Sequence, residues 1–182
     1  MSSSIKKLKT IFTDTGFVRG SVSELADFYF AYGSNMSVAR VRERQMGFEN
    51  ALPGQLAGYR LAFNKCSLKY PGVGAANVMV ARGEKTEGVL YHLTEPDQIT
   101  MMDPFEGYPR HYDRRVLSIN TRSGKIRAWV YIANADFVAE GLRPARWYLN
   151  YLLAGREHLS AAYFDVLSRT PCLPDSENES VI

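Results

Sequence analysis

One carboxylate stands out in the stretch 101–115, which is the densest in functional side chains. Glu106 lies between Phe105 and the pair Gly107-Tyr108, and a glutamate held among aromatic rings loses solvation, which raises the pKa of its carboxyl group. Such a carboxyl group can take up and return a proton in general acid–base catalysis. The alternative is a structural ion pair between Glu106 and one of the three arginines within 110–115. The pattern alone leaves both interpretations open.

A second candidate for chemistry is the turn Tyr32-Gly33-Ser34-Asn35. The aromatic run before it predicts a short buried strand, and the apolar spacing after it predicts a helix to about residue 45. Gly33 permits backbone angles that other residues resist, and Ser34 or Asn35 can cap the helix. Unpaired N–H groups at such a turn bind anions, so a carboxylate or an oxyanion is expected there. An ordinary capped turn between a strand and a helix is the alternative.

The elements that must position these residues are mostly strands. Runs of β-branched and aromatic residues bounded by turn residues predict further strands at 59–63, 77–81, 88–93, 116–120 and 126–133. The short connections at 82–85 and 121–125 are typical of hairpins, so the pairing is expected to be antiparallel.

Helical segments interrupt and follow the strands. A second helix is predicted from Thr94, which can cap it, to about Met102, so Glu106 is expected just beyond its end. Residues 144–168 predict two more helices, broken near Gly155. The combination predicts an α+β fold, a small, mainly antiparallel mixed β-barrel with flanking helices.

Length and composition favour one globular domain. The chain has 182 residues, 46% of them hydrophobic and 23% charged, which suffices for one buried core. We expect an N-terminal arm at 1–26, a single domain at 27–173 and a polar tail at 174–182. The net charge of +3 is spread along the chain, so nucleic acid is not an expected partner. No apolar stretch of signal-peptide length is present, so no membrane association is expected either.

Cysteine and histidine patterns predict no metal site. Cys66 and Cys172 lie far apart in the sequence and outside any Cys-x-x-Cys arrangement. We therefore expect two free thiols in a reducing, cytoplasmic compartment. The three histidines show no zinc-ligand spacing with one another or with a cysteine. No Gly-x-Ser-x-Gly motif is present, so a hydrolase triad is unsupported.

Three short motifs, in order along the chain, resemble those of the γ-glutamylcyclotransferase family. They are the Tyr32-Gly33-Ser34-Asn35 turn, the strand Glu87-Gly88-Val89-Leu90-Tyr91, and Phe105-Glu106-Gly107 after a short helix. The resemblance extends over about 28–171. It implies a small antiparallel barrel with flanking helices. It also implies a reaction without cofactor or metal, in which the α-amino group of a γ-glutamyl amide attacks its own γ-carbonyl and releases 5-oxoproline.

The resemblance also implies roles for individual residues. Glu106 corresponds to the catalytic general acid and base, and the turn from Tyr32 to Asn35 corresponds to a substrate-binding segment. Tyr131, on the last strand, and Tyr148, at the start of the C-terminal helices, correspond to tyrosines near the substrate. Residues 106–112 look more like the γ-glutamylamine cyclotransferase branch, so the leaving amine stays open among an amino acid, a peptide and an alkylamine. The expected partner is a small γ-glutamyl substrate, and a homodimer is compatible with the sequence.

Two other functions stay open at the level of sequence. A catalytically silent module that binds a small metabolite would keep the barrel and the turn, because fold and site outlive activity in many families. The presence of Glu106 argues against this reading. An amide hydrolase would use Glu106 to activate water, and its product would be open glutamate instead of 5-oxoproline.

Overall fold

The computed structural model describes residues 26–174, so the predicted arm and tail lie almost wholly outside the described residues. Five strands form the sheet: β1 (Phe28–Ala31), β2 (Phe48–Cys66), β3 (Gly74–Leu93), β4 (Tyr112–Thr121) and β5 (Gly124–Ala133). The α-helices are α1 (Val38–Glu43), α2 (Asp103–Glu106), α3 (Arg146–Leu153) and α4 (Ala161–Ser168). Short 3₁₀ helices cover Ser34–Met36, Pro96–Met101, Ala135–Phe137 and Arg156–His158.

The five strands close into a barrel in the order β1-β3-β2-β4-β5. β1 pairs antiparallel with β3, and a parallel contact between Tyr29 and Trp129 of β5 closes the ring. The other pairings are antiparallel. The closed barrel confirms the predicted α+β fold with a small mixed barrel.

Two buried clusters divide the apolar side chains of the barrel. One is drawn from all five strands and fills the barrel, with Phe30, Leu90 and Val130 among its members. The other lies between the barrel and the helices and includes Leu149 and Leu152 of α3. Neighbouring residues of β1 join different clusters because successive strand side chains point to opposite faces. The turn after β1 therefore starts where the two clusters meet.

The predicted hairpin across 82–85 is wrong, whereas the one across 121–125 is confirmed as the β4–β5 hairpin. β3 continues through 82–85 and pairs along its length with β2. Ala57 pairs with Lys85 and Tyr59 pairs with Val80, so residues 81–84 lie opposite Gly58 alone. Gly83, which lies in the predicted turn, is instead part of a bulge opposite Gly58 in a continuous strand.

The first helical segment is capped differently from the prediction. Ser34 and Asn35 belong to a 3₁₀ helix themselves, and α1 begins only after Ser37. The Ser37 hydroxyl accepts a 3.3 Å hydrogen bond from the Arg40 N–H, which makes Ser37 the N-cap. The predicted cap at Ser34 or Asn35 is therefore wrong, and the Asn35 side chain is left for other contacts.

The second helical segment is also longer than predicted. The 3₁₀ helix Pro96–Met101 follows Glu95 and has no side-chain cap, so the predicted cap at Thr94 is wrong. α2 then follows with Pro104 in its first turn, where its missing N–H costs nothing. Glu106 is consequently the last residue of a helix, not a residue beyond one. The two C-terminal helices and their break at Gly155 are confirmed.

Candidate active site

A pocket lies beside the turn that follows β1, with about 280 Å³ of empty space, its open mouth included. Its lining consists of Tyr29, Tyr32, Gly33, Ser34, Asn35, Ala76, Glu106, Tyr112, Tyr131 and Tyr148. The structure brings together in this one pocket all seven residues to which the sequence assigned a role: the turn, Glu106 and the two tyrosines. The roles themselves stay predictions.

Glu106 reaches the pocket because α2 ends there. Gly107 takes a left-handed conformation with φ of +65° and stops the helix, and a Cβ at this position would lie 2.2 Å from His111 Nδ1. The other end of α2 is fastened by Asp103, which accepts a 2.6 Å hydrogen bond from the Tyr131 hydroxyl. Arg114 of β4 also donates to both Asp103 oxygens at 3.1 and 3.0 Å. The helix is thereby fixed to two barrel strands, three residues before the glutamate.

The two carboxylate oxygens of Glu106 have different surroundings. Oε1 accepts a 2.8 Å hydrogen bond from Asn35 Nδ2 and lies 3.4 Å from Arg44 Nη1. Oε2 receives no hydrogen bond from any residue within 26–174. The side chain is 16% exposed, so one oxygen is held in place and the other can receive a proton from a bound molecule.

Asn35 holds Glu106 through an amide whose orientation is fixed. Its Nδ2 donates to Glu106 Oε1 and, at 2.8 Å, to the hydroxyl of Tyr29. Its Oδ1 accepts a 2.7 Å hydrogen bond from Arg44 Nη1. A flipped amide would set oxygen against carboxylate and NH₂ against guanidinium, so only the observed orientation satisfies both neighbours. The Asn35 carbonyl oxygen accepts a further bond from the Tyr91 hydroxyl at 2.7 Å.

Burial raises the pKa of the Glu106 carboxyl above its ordinary value, although Arg44 and Asn35 act in the opposite direction. The raised pKa agrees with the prediction. Its expected cause, enclosure by the aromatic residues next to Glu106 in the sequence, is not seen for Phe105. Phe105 is 54% exposed and lies under the Arg44 guanidinium, whose carbon is 4.5 Å from the ring centroid. The exposed Phe105 ring therefore does not enclose the carboxylate, which lies among the residues that line the pocket.

The structural alternative predicted an ion pair between Glu106 and one of the three arginines within 110–115. This prediction is wrong, because among the described residues none of the three pairs with Glu106. Arg114 pairs with Asp103 and stacks between the rings of Tyr108 and Trp129. Arg115 pairs with Asp113 at 2.9 Å. Within the described part of the chain neither arginine contacts Glu106, whose partner is Arg44.

Arg44, Tyr29 and Tyr112 were missed by the sequence reasoning. Arg40 and Arg44 are four residues apart at the end of α1, so they share one helix face. That spacing, directly after the turn, was the available signal for a basic group beside it. Tyr112 carries no such signal, because its place in the pocket depends on the register of β4 with β5.

Several pocket tyrosines use their hydroxyl groups within the protein. The Tyr32 hydroxyl donates to the Tyr131 carbonyl oxygen, and the Tyr112 hydroxyl donates to Ala76 O at 2.7 Å. Tyr131 donates to Asp103, so its ring lines the pocket while its hydrogen is already engaged. Burial raises the pKa of all three hydroxyl groups, which keeps them neutral.

Tyr148 and Tyr29 differ from Tyr32, Tyr112 and Tyr131 because their hydroxyl oxygens accept hydrogen bonds, which Tyr29 receives from Asn35. The Ala76 N–H donates to Tyr148 Oη at 3.0 Å, and the Ser34 N–H also interacts with this oxygen. Burial raises the Tyr148 pKa to about 12, so the group stays protonated. Within residues 26–174 its hydrogen has no acceptor, so it is available to a molecule in the pocket.

The turn is built by close approach and not by an unusual backbone angle. Gly33 has φ of −115°, which other residues adopt, so the expected need for a special conformation is wrong. A Cβ at Gly33 would instead lie 3.1 Å from the Ala76 Cβ and 3.4 Å from Tyr148 Oη. The glycine therefore lets the turn approach the strand and the hydroxyl that line the pocket with it.

Residues 26–174 hold neither a metal-binding cluster of side chains nor a membrane-spanning helix. In the part of the chain that the structure describes, no group of three or more His, Cys, Asp or Glu side chains is arranged to hold a metal ion. Over the same residues, none of the helices combines the length and the apolar character needed to cross a membrane.

The closed barrel, with a buried glutamate set against the turn after its first strand, places the protein among α+β barrels of the cyclotransferase type. A family model described as gamma-glutamyl cyclotransferase, AIG2-like, matches residues 29–149, more than half of the chain. The chain belongs to this family, as its motifs indicated, and membership supports a cyclotransferase-type function.

Solved structures share the fold. An uncharacterized protein from Homo sapiens superposes with a TM-score of 0.71 at 21% identity, over 84% of this chain and 92% of that one. A gamma-glutamyl cyclotransferase gives 0.71 at 19% identity, over 83% and 91%. A yeast gamma-glutamyl cyclotransferase specific to glutathione gives 0.56 at 13%, over 79% and 94%. At these identities the likeness shows the fold alone, and a comparison with curated proteins gives no match.

Proposed function

We propose that this protein is a γ-glutamyl cyclotransferase that releases 5-oxoproline and a free amine or amino acid from a γ-glutamyl amide. The observation that carries the proposal is the state of Glu106. Its carboxyl group is buried and its pKa is raised. One oxygen is fixed by Asn35 and Arg44, and the other receives no hydrogen bond from the described residues. This is the arrangement that a proton shuttle needs.

Glu106 would serve both proton transfers of the reaction. As a carboxylate it takes a proton from the substrate α-ammonium, and the free amine attacks the γ-carbonyl carbon of the same molecule. When the bond between that carbon and the amide nitrogen breaks, the protonated Glu106 returns its proton to the leaving nitrogen. The regenerated carboxylate then passes the second proton of the attacking nitrogen to the released amine, so that 5-oxoproline keeps one N–H and the amine leaves as an ammonium ion. A raised pKa makes the return easier. Because the nucleophile and the carbonyl are tethered, no nucleophile from the protein is needed.

Tyr148 would stabilise the oxygen of the attacked carbonyl. Its hydroxyl oxygen accepts a hydrogen bond from the Ala76 N–H and also interacts with the Ser34 N–H, which polarises the O–H bond and makes it a better donor. A donor placed in advance toward developing negative charge lowers the barrier of acyl transfer. The turn would thus help to stabilise the oxygen of the attacked carbonyl through the interaction of Ser34 with Tyr148.

Product analysis tests the proposal. The purified protein is incubated with γ-glutamyl amino acids, γ-glutamyl dipeptides and γ-glutamyl alkylamines, and the products are identified by mass spectrometry against a protein-free control. We expect 5-oxoproline together with the free amine. Open glutamate would instead indicate a hydrolase, and binding without turnover would indicate a silent binding module.

A pair of matched variants connects the product to the site. Glu106→Gln should abolish the release of 5-oxoproline, whereas Glu84→Gln, at an exposed position in β3, should leave it unchanged. Loss in both variants would point to a general effect of removing a carboxylate, and loss in neither would exclude Glu106.

A further inference from the structure

Lys65, near the end of β2, is a buried lysine without a counter-ion. The residue is 7% exposed, and no hydrogen bond or ion pair involves its Nζ within residues 26–174. Its described polar contact is with the Tyr112 ring, whose centroid lies 5.5 Å from Nζ. The stem of the side chain is buried, and the ammonium group at its end keeps contact with solvent, so a ligand can reach it. Such a group is well suited to an anion that arrives with a ligand.

Lys65 adjoins the pocket from the side of β2 and β4. The Tyr112 ring beneath its ammonium lines the pocket, and the Tyr112 hydroxyl is bonded to Ala76, which lines it too. In the β2–β3 ladder Lys65 pairs with Ala75, the residue before Ala76. Burial lowers the Lys65 pKa, and the negative charge of Glu106 acts against this lowering, so the ammonium lies within electrostatic reach of the proposed proton shuttle.

Arg44, a second cation beside the pocket, is already engaged. Arg44 is bound to Asn35 and Glu106, on the side of the turn and α1. Lys65 lies on a different side, beyond Tyr112. The imidazole of His111, whose pKa burial and Lys65 both lower, adds no negative charge there. The Lys65 side of the pocket therefore offers a positive charge that forms no ion pair within residues 26–174.

We propose that Lys65 forms a subsite for the carboxylate of the leaving group, and that the preferred substrates are γ-glutamyl amino acids or peptides. The inference rests on the proposed function. A γ-glutamyl amino acid carries a carboxylate at each end of the molecule, whereas a γ-glutamyl alkylamide carries one only on its glutamyl end. The turn and Glu106 hold the glutamyl end, so the carboxylate of the leaving amino acid meets Lys65.

The test uses two substrates that differ in this carboxylate alone, γ-glutamylalanine and γ-glutamylethylamide. Lys65→Met should lower kcat/KM for γ-glutamylalanine by about 10- to 100-fold, mainly through KM, as expected for a lost hydrogen bond to a charged group. Its kcat/KM for γ-glutamylethylamide should stay within about twofold of the wild type. Lys65→Arg keeps the charge and should retain most of the preference.

Lys69→Met is the matched control. Lys69 is exposed, and its Nζ lies 5.1 Å from the ring centroid of Tyr70, so it has a similar ring contact away from the pocket lining. The Lys69→Met substitution should leave kcat/KM unchanged for both substrates. Lys65→Gln serves as a second variant if the methionine protein does not fold, since removal of an unpaired charge should not lower the melting temperature.

The possible outcomes separate the two proposals. An equal loss on both substrates would assign Lys65 to the glutamyl end or to structure and would overturn the subsite. Unchanged kinetics on γ-glutamylalanine would overturn it as well. If the wild-type protein forms 5-oxoproline neither from these two substrates nor from γ-glutamyl dipeptides, the proposed function fails and the subsite with it. Activity of the wild type on both, with a selective loss in Lys65→Met and not in Lys69→Met, supports the subsite.

Discussion

The side-chain amide of Asn35 donates a 2.8 Å hydrogen bond from Nδ2 to Oε1 of Glu106. This contact joins the turn after β1 to the end of α2, two segments that are 71 residues apart in the sequence. Because Arg44 binds the other end of the same amide, the carboxylate is oriented by a neutral donor and not by a salt bridge alone. The position and the pKa of Glu106 thus depend on the turn.

Asn35→Asp should shift the pH dependence of turnover. The substitution keeps the shape of the side chain but sets a second carboxylate against Glu106 and removes the donor, and both changes raise the pKa of Glu106. The acidic limb of the kcat/KM profile should move to higher pH, with activity at the old midpoint reduced by about tenfold or more. Asn150→Asp, at an exposed position on α3, should leave the profile unchanged. An unmoved limb in Asn35→Asp would remove the amide from control of Glu106.

Glu106 should also leave a signature in the pH dependence of stability. Burial raises the pKa of this carboxyl group, so the folded protein binds the proton more tightly than the unfolded chain does. The resulting stability is fully present below the ordinary carboxyl pKa and is lost as the pH rises through the raised value. The melting temperature of Glu106→Gln relative to the wild type should therefore increase from about pH 4 to about pH 7. A difference that stays constant or falls over this range would show that the pKa is not raised.

Tyr148→Phe should weaken substrate binding, and it should also lower stability because the buried Ala76 N–H loses its acceptor. The hydroxyl hydrogen is free in the described structure, so its removal costs about 0.5–1.5 kcal/mol if it donates to the substrate. Calorimetric titration of the Glu106→Gln protein with a γ-glutamyl substrate, with and without Tyr148→Phe, measures this directly. Tyr70→Phe provides the control, since its ring packs on Trp147 beside Tyr148. If Glu106→Gln binds the substrate with the same affinity with and without Tyr148→Phe, the Tyr148 hydroxyl does not contact the substrate.

Gly33→Ala should impair the pocket through a contact that a second substitution can relieve. The added Cβ would lie 3.1 Å from the Ala76 Cβ, which forces the turn away from β3 at a cost of about 1–3 kcal/mol in stability. Ala76→Gly removes the opposing atom, so the double variant should recover both melting temperature and turnover in part. If Gly33→Ala alone has wild-type activity, close approach of the turn is not needed.

Local patterns predicted the barrel well and the pocket only in part. The β4–β5 hairpin was predictable because alternation and a short turn are local features. The path of β3 through 82–85 was not, because a glycine in a bulge and a glycine in a turn look alike until the partner strand is known. Seven pocket residues came from motifs. Tyr112 and the pairing of Arg44 with Glu106 depend on tertiary packing, which no short pattern encodes.

The most direct test of the account is the rate at which Glu106→Gln releases 5-oxoproline, measured with its melting temperature and its affinity for the substrate. Glutamine keeps the size of the side chain but cannot accept and return a proton. We expect a folded protein that binds a γ-glutamyl substrate and releases 5-oxoproline about 10²–10⁴-fold more slowly than the wild type. A folded Glu106→Gln protein that binds the substrate and cyclises it at the wild-type rate would contradict the assignment of Glu106 as the proton shuttle.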